Sequence, residues 1–208
     1  GTTAALTATS TSSANNYQKI SDQAVEARNL DSLYGTMAAD AKGFTTGPGA
    51  DPIKQFKAMV QRVAPSLVDA KALADQESMD KIANMLANPM GAGSDARMYV
   101  QAGANPSAHN TPAGIDLILR QLRGNLDYTK ARAQLAQTYS STTDPTKENI
   151  TKFENDIGAN LDPRVFQYNR LNAQQRREYY MNTGDKAAFR KAWDWASGHE
   201  LVSANAPP

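Results

Sequence analysis

The sequence predicts an all-α protein, a multi-helix bundle with Gly/Pro loops and a small aromatic-rich helical subdomain at its C-terminal end. Apolar residues recur at three- and four-residue steps over long stretches, the mark of one buried helix face. Capping side chains stand directly before proline at Asp51-Pro52, Thr111-Pro112, Asp144-Pro145 and Asp162-Pro163. Proline at the first helical position loses no hydrogen bond, and its fixed φ suits the helix. Val, Ile and aromatic residues rarely alternate over more than a few positions, so almost no sheet is expected.

The segment 1–13 is rich in Ala, Thr and Ser and reads as a flexible N-terminal lead. It lacks a basic region before an apolar core and so does not read as a convincing signal peptide. A first residue of Gly1 rather than methionine is what a processed product or a fragment would show. From Asn15 to Lys42, Tyr17, Ile20, Ala24, Ala27, Leu30, Leu33, Tyr34 and Met37 mark one face of a long helix. The Gly- and Pro-rich stretch 43–50 ends it and leads to the Asp51 cap. The next helix has Ile53, Phe56, Met59, Val60 and Val63 as its core face. Pro65 breaks it before Leu67 to Ala74 resume. Met79, Ile82, Met85 and Leu86 outline a further helix. Loops are expected at 88–94 and 103–106, with a short helix from Asp95 to Ala102 between them.

Pro112 to Tyr139 is the most clearly patterned element, with Ile115, Ile118, Leu119, Leu122, Leu126 and Ala133 on one stripe. Gly124 in its middle costs about 1 kcal/mol against alanine, which points to a bend or a close helix contact there. A polar linker follows, and then short helices near 145–159, 163–170, 173–182 and 186–197, with Asn172 and Asp185 as further caps. Aromatic residues concentrate in this last part. The domain organisation read from the sequence is therefore a main helical domain over 14–139, an aromatic-rich subdomain over 140–200 and a flexible tail over 201–208.

A chain of 208 residues is long enough for one sizeable core or two small ones. Its 22 Lys plus Arg against 21 Asp plus Glu leave a net charge of +1, so no global field draws it to nucleic acid or anionic lipid. It has no cysteine, which removes disulfides, thiolate metal sites and cysteine nucleophiles together. No run of about 18 apolar residues is present to form a simple transmembrane helix.

The only histidines, His109 and His199, lie apart and without neighbouring ligands, so no metal site and no cofactor are expected. No Gly-x-Ser-x-Gly elbow and no phosphate loop occurs. The one catalytic candidate is Glu77-Ser78, since lytic transglycosylases carry a general-acid glutamate followed by serine at a helix end. The Gly-Leu-Met-Gln type segment expected downstream in that family is absent. A glutamate beside a helix-starting serine is also what a cap requires, and the residues are read as non-catalytic.

Basic and aromatic residues interleave around Arg164, Phe166, Tyr168 and Arg170, and again around Arg176, Arg177, Tyr179 and Tyr180. The pattern admits DNA contact through Arg164, Arg170, Arg176 and Arg177, with rings stacked on bases, although helical spacing of aromatics is also what a core requires. Trp193 and Trp195 fall about 200° apart on a helix, so one is expected inside and the other toward a surface or partner. Trp193, Trp195, Tyr179 and Phe166 are the candidate interface residues, because large aromatics anchor interfaces.

Three segments spread over the chain together resemble bacteriophage virion proteins, particularly internal or DNA-ejection proteins of short-tailed phages. They are Phe44-Thr45-Thr46-Gly47-Pro48-Gly49-Ala50-Asp51, Gly124-Asn125-Leu126-Asp127-Tyr128 with Ala131-Arg132-Ala133, and Asp162-Pro163-Arg164-Val165-Phe166-Gln167. The resemblance implies a non-enzymatic structural protein of the virion, with other virion proteins and copies of itself as partners, and passage into the host cell envelope during infection. A peptidoglycan-cleaving domain using Glu77 and a nucleic-acid-binding module are the alternatives.

Overall fold

A computed structural model of the chain describes residues 2–45, 47–76, 79–87, 111–140, 147–203 and 207. Among these, every regular element is a helix: α1 (Thr2–Ala41), α2 (Pro52–Val63), α3 (Ala70–Ala74), α4 (Met79–Ala87), α5 (Pro112–Ser140), α6 (Lys147–Asn160), α7 (Pro163–Arg170), α8 (Ala173–Asn182) and α9 (Lys186–Gly198). The all-α reading holds. The expected helix at 95–102, Glu77, Ser78, His109 and the Asp144-Pro145 start lie outside the described residues.

The helix starts follow the capping chemistry. Asp51 accepts from the Lys54 amide at 2.9 Å, Thr111 from that of Gly114 at 3.1 Å and Asp185 from that of Ala188 at 2.9 Å. Asn172 and Gln175 form a reciprocal capping box. Asp69 caps α3, so the helix resumes at Ala70 and not at Leu67. In the turn before α2, Gly47 (φ 118°) and Gly49 (φ 86°) take left-handed conformations that glycine adopts without strain.

Two ends of the chain differ from expectation. α1 begins at Thr2, so the lead expected to be flexible is helical. Extending an existing helix adds a hydrogen bond per residue without a new nucleation penalty. At the other end, Glu200 turns the chain at a φ of 56°, letting Leu201 N–H donate to Ala196 O at 2.9 Å and Glu200 N–H to Ser197 O at 3.0 Å. This is the Schellman closure, with glutamate where glycine is usual. It folds the start of the tail back, so that Val202 is buried and Ser203 N–H donates to Asn169 Oδ1 at 3.1 Å.

α1 and α5 lie side by side along much of their length and run antiparallel, since Asp31 meets Arg123 and Lys130 while Tyr17 and Tyr139 both pack on Phe153. Two apolar cores form along this pair. One joins the second half of α1 and the first half of α5 to α2, α3 and α4, around Tyr34, Phe56, Leu73, Leu86 and Ile118. Tyr34 Oη donates to Leu86 O at 2.5 Å, pairing a carbonyl near the end of α4. The other joins Ile20 and Ala24 of α1 and the last turns of α5 to α6 through α9. The partition of the core therefore crosses the two long helices and does not fall at residue 140. Helices of 40 and 29 residues are too long for one small core, so each serves both.

Candidate functional site

α5 is buried on nearly all sides. Its Ile115, Ile118, Leu119 and Leu122 enter the first core, while Leu117 packs on the second and Gly124 and Tyr128 face α7. At the crossing, Gly124 lets the α7 backbone come so close that a Cβ there would stand 2.5 Å from Gln167 Cα. This is the close contact that a mid-helix glycine announces. A polar chain crosses at the same level. Tyr179 Oη donates to Gln167 Oε1 at 2.5 Å, and Gln167 Nε2 donates to Asn125 Oδ1 at 2.8 Å. Burial, reinforced by the charge of Asp162, pushes the Tyr179 hydroxyl up, so it stays protonated and remains a donor. Asn125 Nδ2 and Gln121 Oε1, one turn apart on α5, are buried without a protein partner.

Beside this seam, three helices meet in an ionic cluster. Asp31 of α1 accepts from Arg123 Nε at 2.6 Å, Lys130 Nζ at 2.9 Å and Arg170 Nη2 at 3.3 Å. Asp127 of α5 accepts from Arg170 Nε at 2.5 Å and Nη2 at 2.9 Å, and pairs with Lys130 Nζ at 2.7 Å. Partial burial pushes the Asp31 carboxyl up, but hydrogen bonds from Arg123 and Lys130, with their charges, outweigh it and hold the group below the usual carboxylate range. Arg170 is pushed above its ordinary value by the Asp127 hydrogen bond, against the opposing effect of burial. A carboxylate held ionised by three cations is poorly placed to act as a general base near neutral pH.

Three of the four candidate interface residues prove to be internal. Phe166, Trp193 and Tyr179 are 0%, 2% and 5% exposed, so their surfaces are already spent on the chain's own core. Trp195 is half-buried, with its ring stacked on His199 at 4.0 Å between centroids. The expected split of the tryptophan pair is thus observed. With the Trp195→Phe variant, iodide should quench little of the remaining fluorescence, whereas Trp193→Phe should leave a strongly quenched signal. Equal quenching in both variants would contradict the placement.

The arginines considered for DNA are mostly engaged. Arg164 forks onto the Asp162 carboxylate at 2.5 to 3.0 Å. Arg170 holds Asp127 and Asp31. Arg176 donates to Leu171 O at 2.8 Å and lies over the Tyr168 ring. Arg177 is exposed. A phosphate would have to displace three charge-assisted carboxylate pairs to recruit this set, which disfavours a nucleic-acid groove here.

Of the residues that organise the crossing, Asp31 and Gln121 are not singled out by the sequence, and Asn125, Asp127 and Gln167 are named there only within the segments that carry the resemblance. The signal available was local: Gln121, Gly124 and Asn125 stand at three- and four-residue steps in line with Leu117, Ile118 and Tyr128, where an apolar stripe would otherwise continue. Among the described residues no group of three or more His, Asp or Glu is placed to hold a metal ion, and no helix is long and apolar enough to cross a membrane. The fold and the crossing define an all-α bundle organised around one central helix. Comparison with known protein families, with curated proteins and with solved structures returns no match for this chain.

Proposed function

We propose that the chain is a non-enzymatic structural protein of a phage virion, internal to the particle or part of its DNA-ejection apparatus, working through helix-mediated assembly with its own copies and with other virion proteins. The resemblance of the three segments to such proteins supports the virion assignment. The observation that carries the assembly reading is the length of α1. Tyr17 of α1 and Tyr139 of α5 meet at Phe153, and α5 ends one residue later at Ser140. Residues 2–13 of α1 therefore run past the end of their antiparallel neighbour, by about 18 Å at the rise of a helix. The sequence from Thr2 to Gln18 has no charged side chain. An uncharged helix rich in Ser and Thr has little stability alone and gains from packing on another helix.

Light-scattering mass of the full chain tests this reading. Species well above 22.5 kDa are expected, with a return to monomer mass when residues 1–13 are deleted. A monomer at every concentration would remove the self-assembly reading, and absence of the chain from purified particles of a phage that encodes it would remove the virion assignment.

A further inference from the structure

The last three helices are tied to one another by ring contacts and to α5 by an interface in which apolar and polar contacts mix. Within α7–α9, the Tyr168 ring meets Tyr179, Phe189 and Trp193 at 6.4, 5.6 and 5.2 Å, and Tyr180 meets Phe189 at 6.0 Å. The returning tail closes this group by bonding Ser203 to Asn169. These aromatic contacts lie inside the unit and would survive its displacement. The contact with the rest of the molecule has an apolar part, where Phe166 meets Tyr128 at 5.9 Å and Val165, Phe166 and Trp193 share one core with Ala131, Leu135, Phe153 and Ile157, and a polar part, the Asn125–Gln167 hydrogen bond and the Arg170 ion pairs. Exchanging the polar part of this interface for water loses little net free energy, and the buried Asn125 Nδ2 and Gln121 Oε1 would regain hydration. Residues 161 and 162 between α6 and α7 are not helical and can absorb a change of direction.

We propose that α7–α9 and the 201–203 return form one unit that undocks from α5 before the rest of the molecule unfolds, with Arg170 as its latch. Arg170 suits that role because it reaches from the unit to both carboxylates, Asp127 on α5 and Asp31 on α1, while Arg120 Nη1 donates to its backbone carbonyl at 3.1 Å. The proposal stands on the fold and is independent of the assembly reading.

Hydrogen exchange of the full chain, followed by mass spectrometry, tests it. Peptides spanning 163–198 should exchange as a group and faster than those spanning 115–126. Arg170→Ala should speed exchange of the first group about tenfold and that of the second by no more than this, since unfolding of the whole chain breaks the same contacts. Arg170→Lys, which keeps the charge but loses the fork, should fall between. No acceleration of the first group, or acceleration of the second alone, overturns the latch. Should Arg170→Ala fail to fold, the unsubstituted chain in mild urea decides the matter: two groups with different urea dependence support the unit, and a single common opening overturns it.

Discussion

Gly124→Ala is expected to destabilise the protein by about 3 kcal/mol, although alanine is the better helix former. In an unencumbered helix the substitution gains up to about 1 kcal/mol. Here the new Cβ would stand 2.5 Å from Gln167 Cα, 2.7 Å from Gln167 N and 2.8 Å from Phe166 O. All three are backbone atoms of α7, so no side-chain rotation relieves the clash. Either α7 shifts bodily or α5 bends, and both disturb the Asn125–Gln167–Tyr179 chain; overpacking of a tight contact costs about 1 to 3 kcal/mol, with the loss of buried hydrogen bonds added. Gly158, helical in α6 with nothing within 4 Å of its would-be Cβ, is the internal control. Gly158→Ala should stabilise by up to about 1 kcal/mol. Urea unfolding of the two variants reads the sign directly, and a Gly124→Ala protein as stable as its parent would refute the close crossing of α5 and α7.

What could be read from the residues alone was whatever local chemistry determines. Asp51, Thr111, Asp162, Asn172 and Asp185 each cap a helix through an amide two or three residues away, and that bond is set by neighbours in the chain. The stripes on α1, α2, α4 and α5 are legible for the same reason. The central crossing is not local. Asp31 and Arg170 meet across 139 positions, and nothing near either residue marks the other. Arg170 reads as part of a partner surface because its carboxylate partners Asp31 and Asp127 come from other helices, whereas the Asp162 partner of Arg164 stands only two residues away. The rings themselves turned inward for a reason of scale. Helices of 8, 10 and 13 residues offer few apolar positions each, so large aromatic side chains are what fill the space between them.

Asp31→Asn is the second substitution with a large expected effect, about 2 kcal/mol of lost stability at neutral pH. Asp31 and Asp127 together balance Arg123, Lys130 and Arg170, and the five side chains are only 17% to 29% exposed. Without the Asp31 charge, three cations face Asp127 alone in a partly desolvated setting. The penalty falls between the near-zero value of exposed pairs and the roughly 3 to 5 kcal/mol of breaking a fully buried one. Its pH dependence has a fixed direction. Because the folded protein holds the Asp31 carboxyl below its ordinary value, the group contributes in full above about pH 4, where the unfolded chain is ionised too, and loses that contribution as the pH falls through the lowered folded value. The stability gap between the parent and Asp31→Asn should thus be wide at neutral pH and close in acid, and high salt should narrow it. Asp40, which pairs with Arg62 in an exposed setting, supplies the contrast, since Asp40→Asn should change stability by less than about 0.5 kcal/mol. A gap for Asp31→Asn that is absent at neutral pH, or that persists undiminished into acid, would show that the cluster does not hold α1, α5 and α7 together.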